Sequence, residues 1–236
     1  MNGSDTQNVA YLTKEAAETQ RRLLDAAEEM FAQKGLDGTT IRDITTKADR
    51  NPASINYFFG NKQELYEELF RQRLREMRDS RLKAIKAVMT GKVKPTLEKL
   101  LHAYSVDFLK PFSDPQRSQR FMQLFFRELA EQRLPKNMFL EEMAAPVMAA
   151  MEDALVVLCP NLNKHDAQMC VLSITGQLVH IMQVRVLFEG APGLASGESR
   201  GGQGHSIASI DIDEAIDHIV SFSAAGIRSL AKRDNK

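Results

Sequence analysis

The side chains that most often carry catalysis are sparse in this sequence, and their spacing does not match catalytic motifs. The five histidines form no HExxH pair, and Cys159 and Cys170 are too far apart for a CxxC redox or zinc pair. There is no GxSxG nucleophile elbow and no phosphate-binding P-loop, and the GGQG at 201–204 does not lie between a strand and a helix. We therefore expect no enzymatic activity, no cofactor and no metal site.

The composition favours a soluble, all-helical protein. Of the 236 residues, 43% are hydrophobic and 26% are charged; tryptophan is absent, and 11 methionines join the leucines and alanines. Two cysteines are too few for a disulfide framework, and neither a signal-peptide core nor a stretch of ~20 apolar residues is evident. These features predict a cytoplasmic protein without membrane contact.

The first 60 residues divide into three helical segments. Residues 1–18 are polar and aperiodic, which predicts a flexible arm that becomes helical near its end. Apolar residues from Leu23 to Phe31 recur at helical spacing, and the helix is expected to end at Lys34–Gly35. Thr39 or Thr40 can cap a second helix, and Asn51 with Pro52 can open a third before Gly60.

A longer series of amphipathic segments follows, without alternating strand patterns. Further helices are predicted at about 62–85, 96–110, 116–132, 136–158, 165–188 and 211–232. The segment 190–206 contains six of the 13 glycines and almost no large apolar side chain. We expect it to be a flexible loop.

Three short helices joined by two tight turns fit a helix-turn-helix unit, whose second helix can enter the DNA major groove. Periodicity alone fits any small helical bundle equally well. At this stage both interpretations therefore stay open.

The residue identities favour DNA binding. TTIRDITTKADRNPASINYFFGNKQELYEELF, Thr39–Phe70, closely resembles the DNA-binding domain of the TetR family of bacterial transcriptional regulators, and LLDAAEEMFAQKGLDGTT, Leu23–Thr40, matches its first helix and turn. INYFFGNK, Ile55–Lys62, resembles the branch that includes CecR-like regulators. The likeness is much weaker beyond these segments. It implies a DNA-binding domain with a connecting helix at 19–80 and an effector-binding and dimerisation domain at 81–236.

The resemblance also implies which side chains contact DNA. Thr40 would offer its hydroxyl and nearby backbone N–H groups to a phosphate, and Arg42 would reach base edges or backbone unless it pairs with Asp43 or faces solvent. Tyr57 and Lys62 match positions that contact the sugar-phosphate backbone, although ordinary surface roles are the alternative. Ile55 and Phe58 are expected to face inward. The outward face of the recognition helix should then comprise Asn51, Pro52, Ala53 and Asn56, of which Asn56 can read adenine.

Two positions depart from the family pattern in the turn after the second helix. Asp49 and Arg50 stand where the family usually has glycine and an apolar residue, and Thr45 replaces a more common alanine. Aspartate tolerates left-handed backbone. Arg50 could lay its stem over the core and offer its guanidinium to phosphate, or the turn could be looser than usual.

The formal net charge of zero conceals an uneven distribution. Residues 1–94 carry 17 Lys and Arg against 14 Asp and Glu, a net of +3, and the remainder carries −3. This difference supports a DNA-binding N-terminal part. The fourth helix also carries five arginines that need not touch DNA: Arg71, Arg73, Arg75, Arg78 and Arg81.

A DNA-binding domain of this size recognises few base pairs alone, so we expect a homodimer on a palindromic DNA operator. The helices near 165–188 and 211–232 resemble the pair that forms a four-helix dimer interface in TetR-like proteins. Their apolar residues could equally form intramolecular core. Those residues are Met169, Leu172, Ile174, Leu178, Ile181 and Met182 in the first helix, and Ile212, Ile216, Ile219, Val220, Phe222 and Ile227 in the second.

The resemblance further implies a pocket for a small-molecule effector in the second domain. The candidate lining combines aromatic bulk with a few polar groups, although a helical core has the same composition. The candidate residues are Tyr104, Phe108, Phe121, Phe125, Arg127, Gln177 and His180.

The function implied is a transcriptional repressor that leaves its operator when the effector binds. The alternative is a helical adaptor or scaffold with the same fold that has lost DNA binding, which Asp49 and Arg50 in the turn would explain.

Overall fold

The computed structural model describes the backbone of residues 3–109, 117–188 and 211–232, and the side chains of 14–109, 120–184 and 211–232. Within these ranges the regular elements are all helical, which confirms the all-α prediction. The elements are α1 (Gly3–Gly38), α2 (Ile41–Ala48), α3 (Ala53–Phe59), α4 (Lys62–Met89), α5 (Leu97–Leu109), α6 (Arg117–Glu131), a π-helical turn (Leu140–Ala144) that leads into α7 (Ala145–Leu158), α8 (Lys164–Phe188) and α9 (Ile212–Ala231). The predicted loop 190–206 lies outside the described residues.

Helix α1 begins earlier than the sequence pattern indicated. The segment 1–18 was expected to be a flexible arm, but the backbone is helical from Gly3. Alanine, glutamate and lysine between residues 10 and 18 are good helix formers, and Glu18 pairs with Arg21 and Arg22 one turn later at 2.8 and 2.9 Å. The predicted break is present, because Gly35 has a φ of 73°.

The chain forms two compact units, and neither is a single continuous segment. The first comprises Met1–Leu74 and Asp114–Met138, and the second comprises Arg75–Ser113 and Phe139–Lys236. The sequence predicted a domain boundary after residue 80. The two units of the structure differ from that prediction in one main respect. Helix α6, expected in the effector domain, packs against α1 within the first unit.

An aromatic chain holds α1, α4 and α6 together in the first unit. The ring of Phe31 meets Tyr66 edge-on at 5.1 Å, Tyr66 lies 4.9 Å from Phe70, and Phe70 lies 5.3 Å from Phe121 on α6. These rings are at most 5% exposed. Aromatic pairs at such distances add to the free energy gained by burying the rings, so α6 contributes to the core of this unit.

A buried ion pair joins α1 to α4 in the same unit. Arg73 Nε donates to Glu28 Oε2 at 2.5 Å, and a guanidinium nitrogen of Arg73 lies 3.5 Å from Asp25. Arg73 is 8% exposed and Glu28 is 3% exposed. Because each charge is removed from water, each depends on the other for compensation.

The second unit is built on α5 packed against α9 and on α7 packed against α8. Its core includes Leu100, Tyr104, Leu155, Ile174 and Ile219, all at most 2% exposed. Asp211 caps α9 by accepting from the backbone N–H groups of Asp213 and Glu214. Arg228 near the other end of α9 pairs with Glu98 on α5.

Helix α8 is long and apolar enough to cross a membrane by length and composition, since Lys164–Val184 has a mean hydropathy of 1.2. A core helix of a soluble protein passes the same test, and the exposed positions of α8 include His165, Gln168 and Gln183. The helix is therefore weak evidence for membrane contact.

The Glu28–Arg73 pair generates a stability prediction. Arg73→Met should lower the free energy of unfolding by about 3–5 kcal/mol, because it leaves the Glu28 carboxylate buried without its main cation. Urea denaturation followed by circular dichroism measures the change. The double variant Glu28→Gln/Arg73→Met should recover part of the loss; a double variant as unstable as the sum of both single changes would contradict this account.

Candidate nucleic-acid interface

The N-terminus of α2 is closed by a reciprocal capping box. Asp43 N–H donates to Thr40 Oγ1 at 3.1 Å, while Thr40 N–H and the Thr40 hydroxyl donate to Asp43 Oδ2 at 2.9 and 2.7 Å. These hydrogen bonds, together with Lys34, lower the pKa of Asp43 to about 2. The Thr40 hydroxyl that was expected to hold a phosphate thus has its proton committed to Asp43 in this structure.

The turn between α2 and α3 is tight, despite its unusual residues. Asp49 has the left-handed backbone (φ 53°, ψ 55°) that the sequence analysis considered tolerable. The N–H of Arg50 donates to Thr45 O at 2.9 Å and that of Asp49 donates to Thr46 O at 3.3 Å, which is a Schellman motif. The Arg50 guanidinium donates to Asp49 O at 2.7 Å. Neither residue loosens the turn.

Helix α3 opens with a side-chain cap and buries one face. Asn51 Oδ1 accepts from Ala53 N–H at 2.9 Å, as the predicted cap requires. Ile55 is fully buried, but the second inward residue is Phe59, at 7% exposed, rather than Phe58, which is only half-buried. Phe58, which was expected to face inward, does so only in part, because helical spacing from Ile55 favours position 59 as well as 58.

The outward face of α3 carries side chains of the predicted set. Asn51, Pro52, Ala53 and Asn56 are all exposed, and Tyr57 is 82% exposed. Arg42 on α2 is also exposed, and no hydrogen bond or ion pair joins it to any residue that the structure describes. Its expected alternative partner, Asp43, is occupied by Thr40 and Lys34. Arg42 and Asn56 thus keep their hydrogen-bonding groups available for an external partner.

Lys62, at the start of α4, has a structural role that the sequence analysis missed. Its ammonium donates to Leu36 O at 2.7 Å and to Thr39 O at 2.8 Å, so it satisfies carbonyls at the end of α1 and in the following turn. One of its three N–H donors is left, and a phosphate contact for Lys62 stays a prediction. The signal for the structural role is a lysine at a helix start whose stem can reach back over a preceding turn.

Helix α6 supplies two further contacts to this unit. Arg127 donates to Phe31 O at 3.2 Å near the end of α1, and its guanidinium lies so close to Gly35 that a Cβ there would be 3.1 Å from it. The Tyr66 hydroxyl donates to Glu128 Oε2 at 2.9 Å in a buried site, and Glu128 Oε1 accepts from Leu134 N–H at 2.7 Å. Burial and Glu128 together raise the pKa of Tyr66. These side chains fix α6 onto α1 and α4.

The candidate effector residues fall into separate places. Tyr104 and Phe108 lie in the core of the second unit, where their rings are 5.8 Å apart. Phe121, Phe125 and Arg127 belong to the first unit, where Phe121 packs on Phe70 and Arg127 caps α1. His180 is exposed on α8, and Gln177 bonds to Ser173 O at 3.3 Å and to Ser223 Oγ at 3.5 Å. The seven candidates are therefore divided between the two units, and sequence distance could not reveal that α6 belongs to the first unit.

The helix pair α8–α9 has an exposed face that is only partly polar. Met169 and Leu172 on α8 are each 47% exposed, and Phe222 on α9 is 65% exposed with His218 stacked 6.1 Å away. The remaining apolar candidates are mostly core: Ile174, Leu178, Met182, Ile216, Ile219, Val220 and Ile227 are buried, and Ile181 and Ile212 are half-buried. The α8–α9 face, defined by Met169, Leu172 and Phe222, thus remains without a partner within the described residues.

The comparisons with known proteins agree with the helix-turn-helix geometry. Residues 23–69 match the family of bacterial regulatory proteins of the tetR type. The Probable HTH-type transcriptional regulator YttP of Bacillus subtilis is 41% identical over 51 residues, which are 22% of this chain and 25% of that protein. The negative regulator of the biofilm operon icaADBC in Staphylococcus epidermidis, IcaR, is 40% identical over 45 residues, 19% of this chain and 24% of its own.

These relatives share only about a quarter of their own length with this chain. The fold extends further. The transcriptional regulator FadR of Bacillus subtilis, solved with stearoyl-CoA, aligns over 85% of this chain and 97% of its own with a TM-score of 0.61 and 16% identity. That identity supports a common fold and no more. All three are transcriptional regulators by name.

Lys62 offers a test of the interface geometry that needs no DNA. Lys62→Met should lower the free energy of unfolding by about 1–3 kcal/mol, because the carbonyls of Leu36 and Thr39 lose their donor in a partly buried site. Thermal denaturation measures the effect. Arg42→Met, which removes an exposed cation from the same unit, is the control and should leave the melting temperature unchanged; equal effects of both substitutions would refute the structural role of Lys62.

Proposed function

Because residues 23–69 match the tetR family of bacterial regulatory proteins, we propose that this chain is a transcriptional repressor. It binds a palindromic DNA operator as a homodimer and is released by a small-molecule effector. The observation that carries the proposal is the exposed face of α3 beside Arg42, whose hydrogen-bonding groups are available on a rigidly capped scaffold. A protein with this function binds DNA in the cytoplasm.

Side-chain chemistry indicates which residues of this face suit the bases and which suit the DNA backbone. Arg42 can pair bidentately with guanine, and Asn56 can pair bidentately with adenine. Tyr57 presents a ring and a hydroxyl to the sugar-phosphate backbone, and the third donor of Lys62 is suited to a phosphate. Asn51, Pro52 and Ala53 lie at the start of α3, the end of a recognition helix that usually meets the bases.

Repression and effector release are supported in different ways. IcaR, similar over its N-terminal part, is named as a negative regulator, which supports repression. FadR, similar in fold, was solved with stearoyl-CoA, which supports a small-molecule effector. Helix α4 is the physical link, because residues 62–74 belong to the first unit and residues 75–89 to the second. For release, the effector must bind the DNA-incompetent state more tightly than the competent one.

The dimer proposal rests on the α8–α9 face. A Phe222 side chain that is 65% exposed loses contact with water only when a second surface covers it, and small residues beside it, Ser221, Ala225 and Gly226, allow close approach of another helix. A second copy of the chain supplies the same surface, as a two-fold interface requires.

DNA binding is tested with fragments of the promoter region of the gene itself in fluorescence anisotropy. Asn56→Ala should alter base preference, with a loss of about 1–3 kcal/mol for the preferred site, and Arg42→Ala should relax the preference for guanine at a cost of about the same size. Lys83→Ala, an exposed cation in the second unit, is the matched control and should bind like the parent protein. The affinity of the parent should fall steeply between about 50 and 200 mM salt; absent or salt-independent binding would favour the adaptor alternative.

Dimerisation is tested by sedimentation of single variants. Phe222→Glu should shift the protein from dimer to monomer, because it places a carboxylate in the proposed apolar interface. Val93→Glu is the matched control, since Val93 is also 65% exposed but lies outside the α8–α9 face. A Phe222→Glu variant that sediments as the parent does would rule out this face as the dimer contact.

A further inference from the structure

A buried cation lies in the second unit without a carboxylate partner. Arg81 on α4 is only 3% exposed, and no salt bridge links it to any residue that the structure describes. Its guanidinium lies 4.0 Å over the ring of Phe108, and one nitrogen approaches Met143 Sδ at 2.7 Å. A thioether is a weak acceptor and an aromatic ring offers only a modest attraction, so most of the five N–H donors of Arg81 have no strong acceptor.

The attraction of a neighbouring acid does not compensate the charge of Arg81. Asp107 on α5 accepts from Ser80 Oγ at 2.5 Å, and its attraction tends to raise the pKa of Arg81. Burial has the larger effect and lowers that pKa below its ordinary value. Because arginine stays protonated in proteins, the second unit retains a positive charge that its surroundings disfavour.

The hydroxyl groups near Arg81 are also short of acceptors. Ser105 lies one turn before Phe108 on α5, is fully buried, and has no hydrogen-bond partner. The Tyr104 and Thr175 hydroxyls share one hydrogen bond of 3.2 Å, so one of them keeps its proton available. Burial raises the pKa of Tyr104, which therefore remains a neutral donor. Four elements bring these groups together: α4, α5, the π-helical turn and α8.

We propose that the effector of this protein is an organic anion whose charged group pairs with Arg81 and hydrogen-bonds to Ser105, while its body lies against the apolar side chains around Phe108 and Met143. A carboxylate or phosphate offers the acceptors that the guanidinium and the Ser105 hydroxyl lack. The π-helical turn that carries Met143 is a helix irregularity of the kind that often accompanies functional sites. This inference rests on the proposed effector-released function and adds the chemical class of the ligand.

Thermal shift with matched ten-carbon probes tests the proposal. Decanoate or decyl phosphate should raise the melting temperature of the parent protein in a concentration-dependent way, whereas decanol, which has the same chain without charge, should act at least tenfold more weakly. The two anionic probes distinguish a carboxylate site from a phosphate site. Equal effects of decanol and both anions, or no effect of either anion, would overturn the proposal.

Substitution of Arg81 connects the shift to this site. Arg81→Met should bind the effective anion about tenfold to a hundredfold more weakly, and without ligand it should melt at a higher temperature than the parent, because an uncompensated buried charge is removed. Lys83→Met, an exposed cation on the same helix, is the control and should retain the anion response. An Arg81→Met variant that keeps the full response would refute the assignment.

A second variant covers the case in which Arg81→Met does not fold. Ser105→Ala removes the unpartnered hydroxyl, so it should leave the ligand-free melting temperature unchanged or higher and should weaken the anion response severalfold. An unchanged anion response in Ser105→Ala would count against the proposed site. DNA binding by the ligand-free variants is measured in parallel. If the unsubstituted protein does not bind DNA, the proposed function is contradicted. If it binds DNA but does not respond to the anions, only this inference is contradicted.

Discussion

Every short helix leaves backbone groups unpaired at its ends, and the first unit depends on how these groups are satisfied. Asp43 closes the start of α2, and the Schellman motif at Asp49 closes its end. Lys62 and Arg127 donate to the carbonyls near the end of α1 from two other helices. Since α2 and α3 are too short to be stable alone, these contacts stabilise the turns before and after α2.

Hydrogen bonds within the first unit also determine which polar side chains stay available to an external partner. The Thr40 hydroxyl and the Lys62 ammonium donate to groups within the first unit, namely Asp43 and the carbonyls of Leu36 and Thr39. The side chains of Arg42 and Asn56 form no hydrogen bond with a described residue. The side chains that hold the helices in place and those that stay available to an external partner are thus different residues. Because both kinds are short-range features of the sequence, they look alike in a motif and separate only in the folded structure.

Local features of the fold were predictable from the sequence, and features that depend on distant packing were not. The left-handed Asp49, the cap at Asn51 and the break at Gly35 follow from the backbone preferences of single residues. The membership of α6 in the first unit depends on rings brought together from distant parts of the chain, such as Phe70 and Phe121. For the same reason, the five arginines of α4 looked alike, yet Arg73 is buried in an ion pair and Arg81 is buried without one.

The discontinuous first unit limits how this protein can be divided or recombined. The chain passes from one unit to the other after Leu74, after Ser113 and after Met138, so a single cut cannot release an intact DNA-binding part. A fragment ending at Leu74 would lack α6, leaving Phe70 without Phe121 and Tyr66 without Glu128. In evolutionary terms, sequence change in α1 or α4 is coupled to sequence change in α6, because the stability of the first unit depends on contacts among all three helices.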